Sequence, residues 1–278
     1  MSMKTIIITG ANSGIGKAAA TLLAKENHRI VMFCRTKTSA AKAQREIIKK
    51  TSNENIHLII CDLESQQSIK KAVEKFESNF DKLDVLINNA GINLFKRQET
   101  EEGYEKVFAT NHLGPFLLTN LLLDTLKKNG SGRIINVASA AQAPIDFDDL
   151  MSEKSYRPMK VYSKSKIANI MFTYELADIV KNDGILVNSI HPGLIRTNLT
   201  RDMNIVFKGL FLLVKPFLKS PKKGAKTLVY LATSPEVKNI TGKYFVDGKE
   251  KRSRRESYNE ADIKKLWEIS SELTHLNV

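Results

Sequence analysis

Short apolar runs rich in β-branched residues alternate with helix-period segments along the first two-thirds of the 278-residue chain. Strand-length runs separated by helical patterns are typical of βαβ units. Strands are predicted at Lys4–Thr9, Arg29–Cys34, Ile56–Cys61, Leu83–Asn88, Arg133–Ala138 and Ile185–His191. Helices are predicted at Ile15–Glu26, Ala40–Lys50, Ser65–Phe80, Tyr104–Lys128 and Tyr162–Val180. The alternation predicts a doubly wound α/β fold whose parallel sheet is buried on both faces.

A further strand, Gly242–Val246, follows a helix predicted over Lys222–Thr233. An eight-fold barrel is the alternative, but it needs eight strand–helix pairs and the pattern becomes irregular after six. No Pro-, Gly- or Ser-rich linker interrupts the sequence. We therefore expect a seven-stranded sheet in a single Rossmann-type domain over residues 1–278.

A glycine-rich turn follows the first predicted strand and leads directly into a helix. Its G-x-x-x-G-x-G spacing differs from the generic dinucleotide fingerprint, but the strand–turn–helix context is the one that the fingerprint requires. Glycines there permit the turn, the approach of backbone to a pyrophosphate and close helix packing. A glycine cluster can also be an ordinary turn, and its place on the first strand favours a cofactor site. The predicted contacts are Gly10, Asn12, Ser13, Gly14, Ile15 and Gly16.

Arg35 follows the second predicted strand, where an NAD-selecting site carries an acidic residue that binds the ribose 2′-hydroxyl. The first acid after this strand is Glu46, inside the next predicted helix. A guanidinium can instead bind a 2′-phosphate through two hydrogen bonds. The sequence therefore favours NADP over NAD, with a solvated arginine as the alternative.

Tyr162 and Lys166 are spaced to lie on one face of a predicted helix. A nearby ammonium favours the phenolate and would make the tyrosine a usable general acid or base. Ser139 follows the fifth predicted strand, and the carboxyl ends of strands in a doubly wound sheet share one crevice. We expect its hydroxyl to hold a substrate oxygen, although a serine after a strand is often a helix cap.

The charge balance is basic, with 43 Lys and Arg against 30 Asp and Glu and a formal net charge of +13. Such a surface suits nucleic acid, an anionic membrane or an anionic cofactor. No nucleic-acid motif accompanies it, and the five histidines lack metal-ligand spacing, so neither nucleic acid nor a metal is predicted. Two cysteines, no apolar stretch of membrane-spanning length and no signal-peptide pattern predict a cytoplasmic protein.

Seven motifs together resemble the short-chain dehydrogenase/reductase family, and they occur in the family's order. They are Thr9-Gly10-x-x-x-Gly14-x-Gly16, Asp62-Leu63, Asn88-Asn89-Ala90-Gly91, Asn111, Ser139, Tyr162-x-x-x-Lys166 and Pro192-Gly193-x-x-x-Thr197. The resemblance implies an oxidoreductase that transfers a hydride between a nicotinamide cofactor and a carbonyl or alcohol carbon.

The resemblance also implies a role for each matching residue. Tyr162 would be the acid/base, Lys166 would lower its pKa and hold the nicotinamide ribose, Ser139 would position the substrate oxygen, and Asn111 would anchor a water in the proton relay. Further cofactor contacts are expected at Asp62, Leu63, Asn89, Ala90, Gly91, Pro192, Gly193, Ile195 and Thr197. The complete tetrad argues against a second hypothesis, an NADP-binding sensor or scaffold protein without turnover, and a nucleotide-sugar epimerase would have different glycine spacing.

Other segments resemble the branch of the family that holds retinol dehydrogenases and lipid-aldehyde reductases. They are Cys34-Arg35, Ile145–Leu150, Ser165–Ile170, His191–Gly193, Lys219–Gly224 and Gly242–Phe245. Members of this branch mostly use NADP. Many animal members carry a membrane anchor before the glycine loop, and this sequence begins only a few residues before its first predicted strand. We therefore expect an apolar aldehyde, ketone or alcohol rather than retinoid in particular.

The family builds a substrate lid after Thr197, which places one at about residues 198–220 here. Its apolar part, residues 205–218, also fits a buried helix or, with Lys208 and Lys215, a helix resting on an anionic membrane. Peripheral membrane contact is therefore an open alternative. Family members commonly associate through the helices near Asn111–Lys128 and Tyr162–Val180, so a homodimer or homotetramer is expected.

Overall fold

The structure, a computed structural model, describes residues 2–128, 130–193 and 219–276. The strands are β1 Thr5–Thr9, β2 Arg29–Cys34, β3 Ile56–Ile60, β4 Val85–Asn88, β5 Arg133–Val137, β6 Leu186–His191, β7 Lys243–Val246 and β8 Lys249–Lys251. The α-helices are α1 Gly14–Lys25, α2 Lys37–Thr51, α3 Gln66–Glu77, α4 Lys106–Phe108, α5 Gly114–Leu121, α6 Leu123–Lys127, α7 Pro158–Ile179, α8 Pro221–Thr233 and α9 Glu260–Leu273. A π-helical segment, Ala109–Leu113, connects α4 to α5.

The strands form one sheet in the order β3-β2-β1-β4-β5-β6-β7-β8. The pairs from β3 to β7 are parallel, which confirms the predicted doubly wound arrangement and its seven strands. The order reverses direction between β1 and β4, and ligands of such sheets bind at that switch point, outside the carboxyl ends of the strands.

An eighth strand, β8, pairs antiparallel with β7 and was not predicted. Its sequence is Lys-Glu-Lys and all of it is exposed, so it has no apolar face from which a strand could be recognised. Charged residues on a short outer strand also discourage further edge pairing.

Both faces of the sheet are covered by helices, as the near-continuous burial of its strands requires. Ile6 and Ile8 of β1 pack in the apolar cluster that includes residues of α1, α2 and α8. Ile7, between them, points to the other face and packs with residues of α3, α5 and α7. Within the described residues, no helix combines the length and apolar character needed to cross a bilayer.

Two predicted helices differ from the observed ones near the site. The helix that carries Tyr162 begins at Pro158, one turn earlier than predicted, because proline is well suited to the first helical position. The helix predicted over Tyr104–Lys128 is instead divided into α4, the π segment, α5 and α6. π segments arise from one extra residue in a turn, which leaves no mark in the apolar periodicity.

The C-terminal helix α9 is fastened to the core through His112, which is wholly buried. The two ring nitrogens lie 3.3 Å from Asn169 Oδ1 and 2.9 Å from Ser270 Oγ. Phe116, Phe172 and Trp267 pack beside it. Burial lowers the pKa of His112 to about 4 because a charged imidazolium would be desolvated there.

Stability should therefore decline in acid because the unfolded chain binds a proton at His112 before the folded chain does. The free energy of unfolding is expected to fall by about 3 kcal/mol between pH 7 and pH 4 from this residue alone. Urea titrations across this range should give a flatter profile for His112→Gln than for the wild type. His275→Gln, at an exposed histidine, is the control and should keep the wild-type slope; equal slopes for all three proteins would contradict the assignment.

Candidate active site

The loops that follow β1 and β4 are joined through Thr9. Its Oγ1 accepts hydrogen bonds from the backbone N–H groups of Asn89 and Ala90, at 2.9 and 3.0 Å. The Asn89 side chain in turn donates to the carbonyl of Thr9, with Nδ2 and O 2.8 Å apart. The structure thus brings together the glycine turn and Asn89–Gly91, which were both predicted to contact the cofactor, at the switch point of the sheet.

The glycine turn leaves the start of α1 accessible to an anion. Gly14 has φ +53°, and a Cβ built there meets no atom within 4 Å. Ser13, at the N-cap, makes no side-chain cap hydrogen bond, and the first turn of α1 contains no acidic residue. Open space above Gly14 and uncapped backbone donors fit the pyrophosphate of a dinucleotide.

Gly16 has a different role from Gly14. A Cβ at this position would lie 2.5 Å from the carbonyl oxygen of Gly10 and even closer to Asn89 Nδ2. Only a residue without a side chain lets α1 pack against the turn and the β4 loop. The two glycines of the motif therefore differ: Gly14 faces open space, and Gly16 occupies a closed packing position.

Arg35 lies at the end of β2, and the Asp62-Leu63 pair follows β3, the neighbouring strand. Arg35 already has a partner that the sequence did not indicate. Its Nη1 lies 2.6 Å from Oε1 of Glu64. Lys106 approaches the other oxygen, with Nζ and Oε2 2.9 Å apart. Glu64 could have been identified from the sequence, because it directly follows the Asp62-Leu63 motif. Its contact with Lys106 could not, because the two residues are far apart in the chain.

Asn111 joins three segments around the predicted catalytic helix. Its Oδ1 accepts from the N–H of Ile92 at 2.7 Å, while Nδ2 donates to the carbonyl of Ile92 at 2.9 Å and to Ser165 Oγ at 3.0 Å. Ser165 Oγ donates to the carbonyl of Tyr162 at 2.7 Å. The amide therefore connects the loop after Gly91 to the turn of α7 that carries Tyr162.

Lys166 is almost completely buried, with 3% of its surface exposed. Its Nζ donates to the carbonyl of Val137 at 3.1 Å and lies 5.5 Å from the centre of the Tyr162 ring. A Cβ on Gly91 would be 3.2 Å from this nitrogen, so glycine at 91 leaves the ammonium its space. Desolvation lowers the pKa of Lys166 to about 8.

Tyr162 and Ser139, both predicted from the motifs, lie beside each other and close to Lys166. Burial raises the pKa of the Tyr162 phenol, and a hydrogen bond from the Ser139 side chain opposes that rise. The sequence predicts that Lys166 lowers this pKa, whereas desolvation, the largest cause of the shift, raises it. The phenol is consequently protonated at neutral pH.

Ser139 is held in a turn and does not cap a helix. Its Oγ accepts from the N–H of Ala141 at 3.1 Å, and its carbonyl accepts from the hydroxyl of Tyr244 at 3.0 Å. The alternative of a helix cap is therefore not seen, since the next helical turn begins at Phe147. Tyr244 was not among the predicted site residues. It lies on β7, two strands from β5 in the sheet, and its hydroxyl helps to hold this turn in place.

Pro192 and Gly193 follow β6, next in the sheet to β5 and Ser139. Gly193 has φ +93° and faces the side chain of Lys219, which forms an ion pair with Asp247, Nζ to Oδ2 2.6 Å. The predicted contacts Ile195 and Thr197 lie outside the described residues, and so does the apolar part of the predicted lid, residues 205–218.

Known proteins resemble this chain in sequence and in fold. A sequence model described as short chain dehydrogenase matches residues 4–206. Retinol dehydrogenase 14 of Homo sapiens is 42% identical over 294 residues, covering 99% of this chain and 88% of the relative. L-Sorbose reductase from Gluconobacter frateurii, solved with NADPH and L-sorbose, superposes with TM-score 0.72 and 28% identity, covering 89% of this chain and 96% of that chain. The 3-ketoacyl-(acyl-carrier-protein) reductase from Brucella melitensis, solved with NADH, superposes with TM-score 0.69 and 27% identity, covering 87% and 95%.

Proposed function

Since the chain belongs to the short-chain dehydrogenase/reductase family, we propose that it is an NADP(H)-dependent oxidoreductase that interconverts an apolar aldehyde or ketone and the corresponding alcohol. One observation carries the proposal. The buried ammonium of Lys166 lies 5.5 Å from the centre of the Tyr162 ring, and the Ser139 side chain acts on the phenol of Tyr162 at the carboxyl end of β5.

The bound nicotinamide supplies the hydride, and the protein supplies orientation and proton transfer. Gly14 and the start of α1 would hold the pyrophosphate, and Lys166 would hold the nicotinamide ribose. Ser139 would donate a hydrogen bond to the substrate oxygen as negative charge develops on it. Tyr162 would then donate its phenolic proton to that oxygen.

The protonation state of Tyr162 supports the reductive direction at neutral pH. Burial raises its pKa, so the phenol holds the proton that an oxyanion needs. Alcohol oxidation requires the opposite step, in which the phenolate accepts the hydroxyl proton. Oxidation should therefore become faster relative to reduction as the pH rises.

Apolar side chains near the site support an apolar substrate. Met159 stands one helical turn before Tyr162 and is 60% exposed, and Phe95 is 38% exposed. Met159 Sδ lies 4.0 Å from Asn93 Nδ2, so α7 and the loop after Gly91 meet at this edge. Apolar side chains with a few polar groups among them typically line the pockets of apolar ligands. Retinol dehydrogenase 14, by its name, acts on such an alcohol.

A substrate panel tests the proposal directly. The purified chain is incubated with NADPH and aldehydes or ketones of increasing chain length, and loss of NADPH absorbance is recorded. We expect turnover that increases with apolar chain length. Tight NADPH binding without turnover across the panel would contradict the proposal and favour a cofactor-binding sensor.

Arg35 supports NADP(H) as the preferred cofactor, because 57% of its side chain faces solvent where an adenosine 2′-phosphate could reach it. Replacement by glutamine removes the charge and is expected to lower kcat/KM for NADPH about tenfold, with little change for NADH. Parallel assays with both cofactors at one saturating carbonyl concentration measure the ratio. Equal losses for NADPH and NADH would exclude this role for Arg35.

A further inference from the structure

The carboxylate of Glu64 joins two cations at the outer end of the cofactor site. Each of its oxygens has one partner, with Arg35 Nη1 at 2.6 Å and Lys106 Nζ at 2.9 Å. Only 14% of the Glu64 side chain is exposed, against 57% for Arg35. The guanidinium of Arg35, which is proposed to bind a 2′-phosphate, is therefore already paired with a carboxylate through one of its nitrogens.

Two features of the chain hold Glu64 at this point. Its backbone N–H donates to Asp62 Oδ1 at 3.1 Å, which fixes the turn between β3 and α3. Lys106 opens α4, directly before the π segment that contains Asn111, and approaches from the opposite side. The carboxylate is thus positioned by the fold, whereas the exposed Arg35 side chain can turn about it.

We propose that Glu64 is a specificity-determining residue that weakens the preference of this site for NADP(H) over NAD(H), an inference that rests on the proposed function. NAD-selecting sites carry an acidic residue at the end of the second strand. Here Glu64 brings a carboxylate to the same place from the end of the third. A 2′-phosphate meets the negative charge of Glu64 and competes with it for Arg35, while a 2′-hydroxyl meets a hydrogen-bond acceptor.

Lys106 limits the strength of this effect. It neutralises part of the charge on Glu64 and occupies the oxygen that Arg35 does not use. A guanidinium has five N–H donors, so Arg35 can receive a phosphate while one donor stays with Glu64. The arrangement therefore reduces selectivity for the phosphorylated cofactor without abolishing its binding.

Calorimetric titration of the full chain with four ligands tests the proposal: NADPH, NADH, 2′,5′-ADP and 5′-ADP. Glu64→Gln keeps the size of the side chain and removes its charge. It is expected to tighten NADPH and 2′,5′-ADP about fivefold and to leave NADH and 5′-ADP unchanged or weaker. In the Arg35→Gln background the same change should have a smaller selective effect, because the competition for Arg35 is gone and only the repulsion between Glu64 and the phosphate remains.

Glu99→Gln is the matched control, since Glu99 pairs with Arg97 and removal of its charge leaves the Arg35 contact intact. It should not alter the ratio of NADPH to NADH affinity. An unchanged ratio in Glu64→Gln, or weaker NADPH binding, would overturn the proposal; weaker binding would mean that Glu64 positions Arg35 for the phosphate. Failure of all four ligands to bind would overturn the proposed function as well, which separates the two results. Thermal unfolding of each variant verifies that the fold is retained.

Discussion

Replacement of Tyr162 by phenylalanine is expected to lower kcat/KM for carbonyl reduction by about 10²- to 10⁴-fold, the usual contribution of a positioned acid or base. The ring would still fill its space beside Lys166, but the proton for the substrate oxygen and the hydrogen bond with Ser139 would be lost. NADPH affinity should be close to that of the wild type, because the phenylalanine ring preserves the packing. Steady-state kinetics with a cofactor titration measures both quantities.

Tyr174→Phe is the matched control on the same helix. Its hydroxyl lies 2.7 Å from Ser253 Oγ, in a contact between α7 and the segment after β8. Loss of this hydroxyl should leave kcat/KM within about twofold, since it removes no group that meets the substrate. Turnover by Tyr162→Phe of every substrate that the wild type reduces would exclude Tyr162 as the proton donor.

The pH profile of the wild type provides a second readout for this pair. Reduction needs a protonated Tyr162 and a charged Lys166, and the pKa of Lys166 is about 8. The reduction rate should therefore be level at lower pH and decline as the pH rises through about 8. A rate that rises through this range would contradict the roles given to both residues.

Replacement of Gly16 by alanine is expected to destabilise the fold by about 1–3 kcal/mol and to abolish measurable NADPH binding, because overpacked positions force the backbone to move. The added Cβ would stand 2.5 Å from the carbonyl oxygen of Gly10, a backbone atom that cannot turn aside. Movement of Gly10 would displace the glycine turn itself. Urea unfolding gives the stability change, and calorimetric titration gives the loss of NADPH binding.

Alanine variants at two other glycines distinguish backbone strain from steric overlap. Gly14 and Gly103 have positive φ, and a Cβ on either meets nothing within 4 Å. Alanine at either should cost about 1–2 kcal/mol of left-handed backbone strain. Only Gly14→Ala should weaken NADPH, because its Cβ would occupy the space left for the pyrophosphate. Wild-type stability of Gly16→Ala, or equal NADPH affinity for the Gly14 and Gly103 variants, would contradict this division.

Local motifs made the sheet and most of the proposed site predictable. A glycine turn after a strand, or a tyrosine and a lysine one helical turn apart, is encoded within a few residues, and the parallel order of the sheet then brings such motifs together. The first seven strands were found within one or two residues of their predicted bounds for the same reason.

Features that depend on distant residues were not predictable in this way. The contact of Glu64 with Lys106 joins the turn after β3 to the start of α4. The effect of burial on the Tyr162 pKa depends on everything packed around the ring. The π segment at Asn111 changes one backbone hydrogen-bond pattern without changing which residues are apolar. β8 is specified by its pairing with β7 rather than by its own composition.

The adjacency of Asn111 and His112 has a consequence for local opening of the molecule. The Asn111 side chain ties the loop after Gly91 to α7, and the His112 side chain ties α9 to the core. Detachment of α9 would release the π segment and, with it, the anchor of that loop. The backbone amides of α9 and those around Asn111 should therefore exchange with deuterium as a single cooperative unit. A fusion or truncation at the C-terminal end should also speed exchange in the loop after Gly91.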